Sequence, residues 1–109
     1  MTTITEESTT QEYRMTLVRK PVHLLYGATI RVLGYIHPDR FTLDTHLRRD
    51  LRADSLDMMD IVLCLERRLR QRYKVQIFLP DEKVERVVTV RDLCNVIVTE
   101  IRSYHAYAA

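Results

Sequence analysis

From Pro21 to Ile36 the apolar residues Val22, Leu25, Ala28, Val32 and Ile36 recur at spacings of three and four, the pattern of a helix with one buried stripe. Pro21 suits its first turn, and His37-Pro38-Asp39 ends it because a residue before proline avoids the helical region. The stretch to Asp50 reads as a long loop pinned by Phe41, Leu43 and Leu47. Asp54 then caps a second helix, with Asp57 three residues on and Ser55 in the first turn, where acidic groups oppose the positive end of the helix dipole. The apolar residues of this helix, Leu56, Met59, Val62, Leu63, Leu65 and Leu69, spread over more than one stripe, so one face is buried and part of another is left for a partner.

Arg67, Arg68, Arg70, Arg72 and Lys74 read as a fraying helix end, and the period-two series Tyr73, Val75, Ile77 and Leu79 as an extended loop before Pro80. Asp81 to Val87 predicts one short helix, and Thr89 with Asp92 a capping pair for a fourth helix carrying Leu93, Val96, Ile97 and Ile101. Leu25, Val32, Val62, Leu65, Ile97 and Ile101 are the expected core. The fold class is all-α: a small four-helix bundle of three main helices and one short helix, with a long first loop. Residues 1–20 are expected to be a flexible extension, 21–103 the domain and 104–109 a flexible tail.

At 109 residues the chain has room for one core, and 46% hydrophobic with 29% charged residues is an ordinary globular balance. Two glycines and three prolines are too few for the turns of a many-stranded barrel, which favours helices. The net charge of +2 does not imply nucleic acid, and Asp54, Asp57, Asp60 and Glu66 ahead of the basic run would repel a polyanion, so no nucleic-acid partner is expected. Cys64 and Cys94 lack a CxxC pattern and read as reduced core thiols. His23, His37, His46 and His105 lack metal-site spacing, and isolated Gly27 and Gly34 make no phosphate loop. Met1 to Gln11 is polar, so neither a secretory signal nor a membrane anchor or span is expected; a bacterial-type cytoplasmic location or an organelle matrix fits, and a monomer is expected.

The informative segment is Leu47-Arg48-Arg49-Asp50-Leu51-Arg52-Ala53-Asp54-Ser55-Leu56-Asp57. Asp-Ser-Leu alone is weak, but Leu33-Gly34, Pro38-Asp39-Arg40-Phe41-Thr42, Asp44-Thr45 with Leu47, Glu66, Leu79-Pro80-Asp81-Glu82 and Thr89-Val90 with Asp92-Leu93 accompany it in order. From Val22 to Ile101 the chain resembles the acyl carrier protein family, whose attachment motif is Asp-Ser-Leu at the start of the second helix. The resemblance implies a bundle of acyl-carrier type. It also implies a 4′-phosphopantetheine arm, transferred from coenzyme A to Ser55 by a separate magnesium-dependent phosphopantetheinyl transferase, that carries acyl groups as thioesters. The chain itself would be a non-catalytic carrier for acyl-transferring or synthase enzymes of a fatty-acid, polyketide or specialised lipid pathway.

Three departures stand out. Arg52 occupies the family's usual glycine position, and as an exposed loop residue it is expected to matter little for stability. Arg67 and Arg68 replace acids, and about half a dozen extra residues separate helix two from Leu79-Pro80. Leu56, Met59 and Leu63 are the expected partner-facing patch, with Asp54, Asp57 and Asp60 as its charged rim and Arg67 and Arg68 at its far end. The alternative is a carrier-like interaction module that is never modified and binds partners through helix two.

Overall fold

The computed structural model describes residues 21–74 and 76–108, the side chains of 105–108 excepted. Helix α1 covers residues 21–33, a 3₁₀ turn follows at Pro38–Arg40, and the remaining helices are α2 (Ser55–Tyr73), α3 (Asp81–Val84) and α4 (Val90–Ala108). The architecture is the expected small all-α bundle. Among the described residues the only β-type pairing is a single antiparallel bridge between His46 and Thr89. The expected N-terminal extension, residues 1–20, lies outside the described residues.

The core is built from Leu25 and Ala28 of α1, Ile61, Leu65 and Leu69 of α2, and Leu93, Ile97 and Ile101 of α4, with Phe41 and Leu47 from the long loop. Five of the six expected core residues are buried; Val32 is half-buried and packs against the cluster. The loop is pinned through Phe41, whose ring meets Tyr26 of α1 edge-on at 5.1 Å.

Several boundaries differ from those read in the sequence. Helix α1 ends at residue 33 rather than Ile36, because Gly34 adopts φ +93 and donates its amide to the Ile30 carbonyl at 2.9 Å, a left-handed stop that glycine takes without strain. The basic run after Glu66 does not fray: α2 continues to Tyr73, held by fully buried Leu69, and stops at Lys74, left-handed at φ 60 with its amide on the Arg70 carbonyl. Ile77 and Leu79 are buried, as a period-two segment requires, while Phe78 between them is exposed; Val75 lies outside the described residues. Helix α3 is shorter than expected, ending at Val84 instead of Val87. The backbone expected as a tail from Tyr104 is helical through Ala108.

Helix α4 begins with a reciprocal cap. The Thr89 hydroxyl accepts from the Asp92 amide at 3.2 Å, and the Asp92 carboxylate accepts from the Thr89 and Val88 amides, both at 3.0 Å. These two amides hold the Asp92 carboxyl below its ordinary 3.8. A depressed folded-state value means the cap contributes fully above the unfolded pKa and is lost as pH falls through the folded one. Asp92→Ala is therefore expected to cost about 1 kcal/mol at neutral pH, with the gap to the parent protein narrowing below about pH 4 in urea denaturation.

Candidate functional site

The long first loop is stitched to the segment between α3 and α4. The Arg91 amide donates to the Leu43 carbonyl at 2.9 Å, Val90 to Thr45 at 3.0 Å, and Leu47 to Val88 at 3.0 Å. Leu47 and Val90, both buried, close the seam from inside. Beyond Leu47 the chain tightens into a turn. The His46 amide donates to Asp50 Oδ2 at 2.8 Å, the Arg49 amide to His46 Nδ1 at 2.8 Å, and the Asp50 amide to the His46 carbonyl at 2.9 Å. The His46 amide is the main reason the Asp50 carboxyl sits below its usual range. The Ala53 amide then returns to the Leu47 carbonyl at 3.1 Å, delivering the chain to the start of α2.

Asp54 caps α2 as expected, in a capping box. Its carboxylate accepts from the Asp57 amide at 2.7 Å, and Asp57 Oδ2 accepts from the Asp54 amide at 3.1 Å. Ser55 is the first residue of this 19-residue helix and is exposed, so its hydroxyl stands at the positive end of the helix dipole beside amides with no intrahelical acceptor. Arg48, seven residues earlier, donates from Nη2 to Ser55 Oγ at 3.4 Å.

Leu56, Met59 and Leu63 follow one another along the outer face of α2 at 67%, 59% and 53% exposure, with Asp60 and Arg67 also exposed. The patch borders a groove of about 370 Å³ between α2 and α3, whose lining includes Arg48, Ser55, Met58, Val62, Val84 and Val87. Arg68 lies elsewhere: a Cβ placed on Gly27 of α1 would meet its guanidinium at 2.8 Å, so this side chain packs across α1 rather than standing at the end of the patch. Sequence reading missed Arg48, because no periodicity links a loop residue to a helix start. It also left Met58 and Ile61 out of the α2 stripes, although Met58, Ile61, Val62, Leu65 and Leu69 make a regular buried series. Among the described residues no group of three or more His, Cys, Asp or Glu side chains is arranged to hold a metal ion, and no helix is long and apolar enough to cross a membrane.

The arrangement suits a prosthetic group held by a phosphodiester: a reachable hydroxyl, a helix start that favours an anion, a cation beside it and an adjoining groove. The family model for the phosphopantetheine attachment site matches residues 24–97. The chain belongs to this family, the phosphopantetheine-bearing acyl carrier proteins, which are non-catalytic carriers that work with synthase and transferase enzymes. It is 44% identical over 57 residues to the acyl carrier protein of Treponema denticola, covering 52% of this chain and 65% of the relative. It is 32% identical over 62 residues to that of Campylobacter fetus, covering 57% and 73%, and 34% identical over 64 residues to that of Wolinella succinogenes, covering 59% and 76%.

Arg52 corrects one expectation. It is exposed, but its φ is 60, a left-handed conformation that costs a residue with a Cβ about 1–2 kcal/mol. Glycine removes that cost and gives back part of it through the greater freedom of the unfolded chain. Arg52→Gly is expected to stabilise the protein by about 0.5–1 kcal/mol, read as a higher urea midpoint at unchanged slope, where the sequence alone predicts almost no change.

Proposed function

We propose that Ser55 is the attachment residue and that the chain delivers acyl intermediates to partner enzymes of a fatty-acid, polyketide or specialised lipid pathway. The observation that carries this reading is the exposed Ser55 hydroxyl at the capped start of α2, lining the α2–α3 groove. In the modification the Ser55 oxygen forms a new O–P bond to the β-phosphorus of coenzyme A. The pyrophosphate P–O bond breaks, 3′,5′-ADP leaves, and the hydroxyl proton passes to a base of the transferase. Among the described residues Ser55 has Arg48 as its neighbour and no general base bonded to it, so the nucleophile is activated in the transferase site. When bound, phosphopantetheine supplies the terminal thiol that carries acyl groups as thioesters.

The protein's own work is presentation. Leu56, Met59 and Leu63 form the docking patch, Asp54, Asp57 and Asp60 its charged rim and Arg67 its far end. Helix α3 has no buried residue and is tied to α4 by Lys83 and Glu100 at 2.9 Å, so the α2–α3 groove has one thin wall that yields to an acyl chain. We place this activity in the cytoplasm.

Incubation with coenzyme A, magnesium and a broad-specificity transferase is expected to add one phosphopantetheine by intact mass. Ser55→Ala abolishes the gain and keeps the helical circular dichroism. A parent protein left unmodified by several transferases would replace this reading with an unmodified interaction module, and a modified alanine variant would move the site.

The positive far end of α2 fits a dedicated partner with compensating acids rather than one adapted to an all-acidic carrier. Because Arg68 also packs on α1, the clean test is Arg67→Glu. Loading by a general fatty-acid acyltransferase is expected to rise about two- to five-fold at low salt, the range one exposed charge contact supports. The effect shrinks as salt screens the charge. Equal loading of both proteins at low salt removes the support for a specialised pathway.

A further inference from the structure

The loop ahead of α2 is dense in arginine: Arg48, Arg49 and Arg52 lie within a few residues of Ser55. Only one of them addresses the serine. Arg49 Nε pairs with Asp50 Oδ1 at 3.4 Å, and Arg52 faces the separate cleft lined by Tyr35, His37 and Arg40. Arg48 is exposed, reaches Ser55 Oγ at 3.4 Å and, among the described residues, has no carboxylate within ion-pair distance.

Its backbone is fixed. Leu47 before it is buried and bonded to Val88, and Arg49 after it donates its amide to His46 Nδ1. The side chain is therefore projected from a rigid turn toward the start of α2, and less conformational freedom is lost when it meets an anion there. The acids nearest in sequence to Ser55, Asp54 and Asp57, spend oxygens on each other's amides in the capping box. Arg48 and Ser55 also share the α2–α3 groove, so an anion on Ser55 Oγ that turned toward Arg48 would set the root of the arm at that groove.

We propose that Arg48 is a positioning residue for the prosthetic group: its guanidinium pairs with the phosphodiester on Ser55 and directs the arm toward the α2–α3 groove. This rests on Ser55 being the attachment site. A guanidinium donates two N–H groups in a plane that matches two phosphate oxygens, whereas an ammonium offers a point charge, so lysine replaces arginine here only in part. The α2 amides and Arg48 approach the same anion, the first as fixed dipoles and the second as a mobile charge that salt weakens.

The test compares apo and modified forms of the full chain, as parent, Arg48→Gln and Arg48→Lys, in low and high salt. Circular dichroism confirms that each is folded. In the parent, modification is expected to lower the unfolding equilibrium constant about two- to five-fold at low salt, the range of an exposed charge pair, with the gain fading at high salt. Arg48→Gln loses this gain and Arg48→Lys keeps part of it. The ³¹P resonance of the phosphodiester is expected to move with salt in the parent and stay still in Arg48→Gln. A parent protein modified at Ser55 whose phosphorus resonance and stability gain match those of Arg48→Gln overturns the role of Arg48 and leaves the carrier reading intact. Modification absent from the parent overturns the carrier reading itself, and the role of Arg48 with it.

Discussion

The site depends on a short seam of backbone hydrogen bonds between residues 43–47 and 88–91, closed by the buried side chains of Leu47 and Val90. A long loop outside regular structure must satisfy its peptide groups or lose them to water. Here the segment leading into α4 supplies the partners. Because the Ala53 amide returns to the Leu47 carbonyl, the start of α2 takes its position from that seam. The Ser55 hydroxyl is thus exposed and fixed at once. The rigidity comes from residues before and after it in sequence that touch the core, while Ser55 itself is buried against nothing.

Helix α2 divides its work between two stripes. Met58, Ile61, Val62, Leu65 and Leu69 are buried, while Leu56, Met59 and Leu63 remain exposed. Burying a side chain of this size is worth about 1.5–3 kcal/mol, so keeping three of them in water forgoes folding free energy. Beyond the patch, Glu66 Oε2 accepts the Leu79 amide at 2.8 Å, and buried Ile77 and Leu79 hold the longer second loop against the bundle. Helix α2 runs on to Tyr73 through buried Leu69, and the segment after it is anchored by Ile77 and Leu79. The third helix can then lie over the groove despite the longer connection.

What was legible in the sequence was whatever is encoded locally. The Asp54–Asp57 and Thr89–Asp92 caps are side chains bonding amides three residues away, and spacing alone reveals them. The length of α1 was misjudged because the apolar series runs on to Ile36, while Gly34, the residue that stops the helix, weighs little in a periodicity count. Arg52 and Lys74 are left-handed without being glycine, a conformation that no propensity announces. The meeting of Arg48 with Ser55 and the packing of Arg68 over Gly27 join residues from different elements, so charge pattern alone assigned one a solvent-facing role and overlooked the other.

The same packing bears on thioester chemistry. A chain that presents a thioester must not offer it a competing nucleophile, and a cysteine attacks as thiolate. Cys94 lies in α4 among the core side chains, and burial pushes its thiol up to about 12, outweighing the opposing pull of Arg91. At neutral pH it is almost wholly protonated and screened by its neighbours. The burial that stabilises α4 therefore also silences a reactive group.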